Sequence, residues 1–475
     1  MKRQIIILSL VALVAAVSVS SCCCGNGRLG ELTTGEDCIA QTIYGPIEGY
    51  NDAGIYTFKG VPYATAERFM APQYPEAHAD VLKCQTYGAK APQGQSLDWK
   101  PSTDYDFGFE FKTERTGENC QVLNIWTPAL DGRKRPVFLW IHGGGYASGS
   151  AIFLPAQDGR SLAEKGDIVV VTVNHRLNVL GYMDLSWLGG KYSESVNLGM
   201  QDLVKALEWV HSNIENFGGD PDSVTIGGQS GGGGKTSTLL AMPSAKGLIT
   251  RAIVQSGSTL RQAEKESSEA MGRAFLSELG LTEATADRLS EIDYPELEAA
   301  AGRASRASGG RLSPVVDGKY LPTHPFDGMG PECSKDIPML IGSNLNEFCY
   351  TNNIESVVDT RTRDNVLKQA EAKMAQGGAN AYVYLFKWQS KVNDGALAAC
   401  HGMELPFMFA NVAAQREMTG GSKSAYLMED IVSSAWIRFI KTGDPNGKGL
   451  PKWDPYNPQT EATMVLDEKC HMQTK

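Results

Sequence analysis

Ser223-Val224-Thr225-Ile226-Gly227-Gly228-Gln229-Ser230-Gly231-Gly232 is a short β-branched run that passes straight into glycines around one serine. It reads as a strand, a tight turn and the start of a helix, with the serine on the turn. Just upstream, Asn197 to Phe217 carries Leu203, Leu207, Val210 and Ile214 at helical spacing. Further out, Pro136 to Ile141 (PVFLWI) and Asp167 to Asn174 (DIVVVTVN) are apolar without polar alternation. Such runs suit strands covered on both faces. Arg251 to Gln255, Pro338 to Gly342 and Ala381 to Lys387 read as later strands, and Ala425 to Phe439 as a helix. The stretch Arg261 to Ser308, rich in Ala, Glu and Ser, reads as helical and able to cap a site. This β-then-α rhythm predicts an α/β protein whose central sheet is largely parallel, with helices on both faces.

The chemistry follows from the glycines. In Gly228-Gln229-Ser230-Gly231-Gly232 the flanking glycines remove side chains that would clash at a strained turn, so the hydroxyl is presented at the end of the sheet. Strand PVFLWI runs into His142-Gly143-Gly144-Gly145-Tyr146, where successive glycines let backbone N–H groups approach a carbonyl oxygen and stabilise an oxyanion. A serine hydroxyl is a weak nucleophile and requires a histidine base oriented by a carboxylate. In α/β-hydrolases the chain order is serine, acid, histidine. Of the histidines, only His401 and His471 lie far enough downstream, and His401 follows strand AYVYLFKW by a loop. Glu347 comes directly after strand PMLIG, whereas Asp317 and Asp359 read as surface or turn carboxylates.

The 475-residue chain is 42% hydrophobic and 21% charged, a globular composition that excludes intrinsic disorder. Its net charge of −10, without a long basic run, argues against a nucleic-acid partner. Lys2 and Arg3 precede an apolar run from Ile5 to Val17, the pattern of an export signal too short to span a bilayer. Val19-Ser20-Ser21-Cys22 is similar to a bacterial lipobox, so residues 1–21 are expected to be a signal peptide, Cys22 the lipidated residue, and 22–37 a Gly-rich tether before one domain over 38–475. Ordinary signal cleavage, giving a periplasmic or secreted protein, is the alternative. Ten cysteines include no CxxC pair and no zinc-like spacing. No metal or cofactor is expected. Cys349 and Cys400 flank the expected acid and base, which leaves open either a bridge or two buried thiols.

The sequence resembles the type-B carboxylesterases, the family of cholinesterases and bacterial para-nitrobenzyl esterases. The likeness runs from Phe58-Lys59-Gly60-Val61-Pro62-Tyr63-Ala64 through Glu118-Asn119-Cys120, Asn174-His175-Arg176-Leu177 and Phe217-Gly218-Gly219-Asp220-Pro221 to Thr442-Gly443-Asp444-Pro445. The resemblance implies the α/β-hydrolase fold and ester hydrolysis through an acyl-enzyme. Ser230 would be nucleophile, His401 base and Glu347 acid, with the amides of Gly144, Gly145 and Gly231 as oxyanion hole and Ser256 supporting the triad. Arg68 with Glu118, and Arg176 with Asp202, would be scaffold ion pairs. Gln229 stands where the family has Glu, which disfavours cationic choline esters and favours neutral ones. Thr259-Leu260-Arg261-Gln262 replaces a Pro-Trp near the acyl pocket, implying a different and more polar pocket. The short span from Glu347 to His401 implies a more open mouth. Cys120 matches half of a family disulfide, but its partner site falls near Ala91 rather than Cys84, leaving that pairing open. Two other classes compete: a non-catalytic adhesion or scaffold protein on the same fold, and a nucleotide hydrolase. The latter is suggested by Gln229-Ser230-Gly231-Gly232-Gly233-Gly234-Lys235-Thr236, which misses a phosphate-binding loop only at its first glycine.

Overall fold

Residues 31–94, 115–348 and 358–475 are described in the computed structural model; the stretch read as an export signal, Cys22 and Cys349 lie outside them. The apolar runs assemble into one twelve-stranded sheet. Its strands, in chain order, are β1 (Leu32–Thr33), β2 (Tyr50–Asp52), β3 (Ile55–Pro62), β4 (Val122–Thr127), β5 (Arg135–Ile141), β6 (Val169–Val173), β7 (Gly219–Gln229), β8 (Arg251–Gln255), β9 (Met339–Asn344), β10 (Ala381–Phe386), β11 (Thr463–Leu466) and β12 (His471–Gln473). The spatial order is β1-β2-β3-β4-β6-β5-β7-β8-β9-β10-β11-β12. From β6 to β11 every neighbouring pair is parallel, while β1 to β4 and β12 add antiparallel edges. Leu32 and Thr33, within the stretch read as tether, form the outermost strand against β2.

The strand period of two divides the apolar side chains between two cores. On β5, Val137, Leu139 and Ile141 join one face with Val224 and Ile226 of β7, while Phe138 and Trp140 join the other. The first face is covered by α2 (Leu198–Asn213) and α6 (Thr360–Ala375), the second by α1 (Arg160–Gly166) and α7 (Lys423–Thr442). Leu203, Leu207, Val210 and Ile214 all lie in the first core, as their spacing predicts. Each such apolar side chain contributes roughly 1.5–3 kcal/mol on full burial.

The region expected to be one helical cap is two helices, α4 (Lys265–Glu278) and α5 (Tyr294–Ser308), joined by a 3-10 segment. They share a separate cluster built on Met271, Phe275, Leu297 and Ala300. Arg176 and Asp202 form a buried bidentate pair at 2.7 and 2.9 Å, and Arg68 meets Glu118 at 2.6 Å. Cys84 and Cys120 are separate buried thiols; burial pushes Cys84 up to about 12 and Cys120 higher. Cys400 is also buried and free. Among the described residues no helix is long and apolar enough to cross a membrane.

Candidate active site

Strand β7 ends at Gln229, and helix α3 (Gly231–Leu239) begins two residues later. Ser230 takes the whole change of direction, with φ 57° and ψ −125°, a conformation that L-residues rarely hold. Its amide donates to Gln255 O on β8 at 2.8 Å, and its carbonyl accepts from Gly234 at 3.0 Å. The glycines around it are required by contact. A Cβ on Gly232 would lie 2.0 Å from Ile141 O, and one on Gly231 2.3 Å from Gly145 O and 2.5 Å from Gly145 N. The helix start therefore lies directly against the loop after β5.

That loop holds Gly144 and Gly145 at φ 85° and 62°. Ser148 and Ala147 donate back to Gly144 O, at 3.0 and 3.3 Å, and close it into a turn. The amides of Gly144 and Gly145 have no acceptor among the described residues. Free N–H groups beside a serine on a strained turn are the arrangement that receives a developing oxyanion.

Glu347 and His401 come together from loops after β9 and β10. Glu347 Oε2 lies 2.6 Å from His401 Nδ1, and the His401 amide donates to Glu347 O at 2.7 Å. The carboxylate is fully buried and the imidazole side chain is 12% exposed. Glu347 Oε1 accepts from the Asn344 amide at 2.8 Å. Burial pushes the His401 pKa down, but the Glu347 carboxylate and its hydrogen bond outweigh it, so the imidazole titrates above its ordinary value. Gln229 Nε2 lies 3.1 Å from His401 Nε2, on the nitrogen a serine hydroxyl would need; the Ser230 hydroxyl makes no hydrogen bond to it in this state. Free-state hydrogen bonds of this kind often form only with substrate bound. Ser256 also has a positive φ, 50°, and its buried hydroxyl lacks a partner.

The alternatives fall elsewhere. Asp317 closes a turn by accepting from Leu321 and Tyr320 amides, Asp359 caps α6 through Thr362, and His471 is exposed on the edge strand β12. Lys235 is fully buried, its Nζ donating to His142 O at 3.2 Å, so it points into the core and not toward a phosphate.

Three features escaped the sequence reading. Glu404, buried near Glu347 and His401, accepts from Gln255 Nε2 at 3.0 Å and Asn344 Nδ2 at 2.6 Å. Burial and the nearby Glu347 carboxylate hold its pKa above the usual range. Phe348 packs on His401 with ring centres 4.5 Å apart and the planes tilted by 31°. Lys235 supports the carbonyl that begins the glycine loop. The one available signal was Glu404 in His401-Gly402-Met403-Glu404, three residues beyond the histidine.

A serine on a strand-to-helix turn over a largely parallel sheet, with an acid and a histidine following in that order, defines an α/β-hydrolase. The profile described as "Carboxylesterase family" matches residues 36–370 and 354–475. Para-nitrobenzyl esterase of Bacillus subtilis is 33% identical over 91% of this chain and 95% of its own; phenmedipham hydrolase of Pseudarthrobacter oxydans is 30% identical over the same shares. A solved esterase from Clostridium hathewayi, described as able to hydrolyze aliphatic aromatic polyesters, superposes with TM-score 0.86 at 32% identity, covering 94% of this chain and 97% of that one. The chain belongs to the carboxylesterase family and is a carboxylic ester hydrolase. Nothing in these likenesses supports a nucleotide hydrolase or a non-catalytic scaffold.

Proposed function

We propose that Ser230 is the nucleophile of an acyl-enzyme esterase, His401 its general base and acid, and Glu347 the carboxylate that orients and stabilises the imidazole. The supporting observation is the 2.6 Å contact from Glu347 to His401 Nδ1, which fixes the tautomer that leaves Nε2 as acceptor. Ser230 Oγ attacks the ester carbonyl and its proton passes to Nε2, displacing the Gln229 amide. The oxyanion is held by the amides of Gly144, Gly145 and Gly231. Collapse expels the alcohol, which takes the proton from Nε2, and water repeats the sequence on the acyl-enzyme.

Neutral small esters are the substrate class, with short-chain aryl esters as assay compounds. Gln229, which puts an uncharged amide beside the serine, supports this reading. A choline ester turned over faster than a neutral ester of matched acyl length would refute it. A fluorophosphonate should label the wild type on Ser230 and spare Ser230→Ala, whose kcat falls by roughly 10⁴-fold or more. An unchanged kcat would overturn the assignment. Export with lipidation at Cys22 is supported by the N-terminal residue pattern alone. Cys22→Ala should move the protein from the membrane fraction to the soluble one, and no redistribution would reject the anchor.

A further inference from the structure

Beside the site runs an open cleft of about 500 Å³. Tyr146, the residue after Gly145, lines one side, and Ser258, Thr259 and Gln262 line another. The cleft adjoins the nucleophile. A Cβ on Gly257 would lie 2.2 Å from Ser230 O, and Gln262 Nε2 donates to both Tyr146 Oη and Thr238 Oγ1, at 2.8 and 2.7 Å.

Three arginines also line it, and no carboxylate does among the described residues. Arg261 is neutralised by Glu264 and Asp327. Arg311 and Arg361 make no ion pair or hydrogen bond among the described residues. Arg361, exposed like Arg311, stands in the first turn of α6, where the helix dipole disfavours a cation and Asp364 follows only three residues on. Asp359, the nearest carboxylate in sequence, is spent on the Thr362 amide and hydroxyl, at 2.9 and 3.1 Å. The Ser258 hydroxyl is buried at the cleft wall without a partner. Two exposed guanidinium groups without an ion pair, beside a buried hydroxyl without a partner, offer an anion charge and hydrogen-bond donors on one cleft wall.

We propose that this cleft binds a carboxylate borne on the acyl chain of the substrate, through Arg311 and Arg361. The inference rests on the acyl-enzyme reading above and extends its substrate class beyond neutral esters: these are turned over, and anionic half-esters of dicarboxylic acids are turned over faster. A guanidinium pair would hold the remote carboxylate and so place the scissile carbonyl against Ser230.

The test compares 4-nitrophenyl half-esters of adipic and suberic acid with the same compounds capped as methyl esters. Adipate and suberate are chosen because shorter half-esters expel the phenol by cyclising unaided. In the wild type at low salt, kcat/KM for the free carboxylate should exceed that of the capped ester by roughly tenfold or more, and the ratio should shrink as salt is raised. In R311Q/R361Q the ratio should fall to near one. A wild-type ratio of one or below, or a ratio unmoved in the double variant, would overturn the proposal. Neutral-ester turnover with Ser230 labelling tests the acyl-enzyme reading separately, so the two failures are distinguishable.

Discussion

Burial alone would keep the His401 imidazole neutral well into acid, but the Glu347 carboxylate 2.6 Å away raises its pKa above the ordinary value. With the neutral form as the proposed base, kcat/KM on a neutral ester should rise with pH through a limb above about 6.5. Glu347→Gln removes the largest upward influence and leaves burial opposed only by the weaker pull of Glu404 and Asp359. Its limb should move to lower pH, with a kcat loss of roughly 10²- to 10⁴-fold; a limb that stays or moves up would refute the coupling. Lys235 has the opposite problem. Burial lowers its pKa from 10.5 to about 7, because no carboxylate accompanies it. Below about 7 both folded and unfolded chains hold the proton, and between 7 and 10.5 only the unfolded chain does, so its penalty is relieved as pH rises through that window. Lys235→Met should therefore stabilise the fold at pH 7, on the order of 1–4 kcal/mol, and the gain should shrink toward pH 10. Denaturant midpoints at the two pH values measure it, and a gain independent of pH would reject the buried-amine account.

At the scale of elements, the turn between β7 and α3 and the glycine loop after β5 act as one unit, because Gly231 and Gly145 touch through their backbones. Gly231→Ala inserts a methyl 2.3 Å from Gly145 O, so the two segments must separate. We expect kcat to fall roughly 10²- to 10³-fold with a smaller change in KM, as on loss of an oxyanion donor. Parallel losses in kcat and thermal stability would show a folding defect instead. These two segments were legible in the sequence because glycine spacing encodes local backbone geometry. The Glu404, Gln255 and Asn344 cluster was not, because Gln255 and Glu404 lie 149 positions apart and meet only through the order of β8, β9 and β10. The central parallel strands were readable from unbroken β-branched runs. The early part of β7 was hidden because Gly219, Asp220 and Pro221 look like a turn, and the structure does place a register shift there. The antiparallel flank of β1 to β4 lacks such runs at its outer edge, where β1 is two exposed residues.

For the molecule as a whole, the cores on the two sheet faces rest on apolar packing and, among the described residues, on the buried Arg176–Asp202 ion pair. Cysteine contributes to them as a small apolar side chain: Cys38, Cys84, Cys120 and Cys400 are all buried and free. Raised thiol pKa values keep these groups protonated and slow to react at neutral pH. The melting temperature should therefore be the same with and without dithiothreitol, and a drop of several degrees in reductant would reveal a bridge. As far as the described cysteines go, folding then calls for neither a thiol oxidase nor a disulfide isomerase, and these cores can form in a glutathione-rich cytosol as readily as in an oxidising envelope.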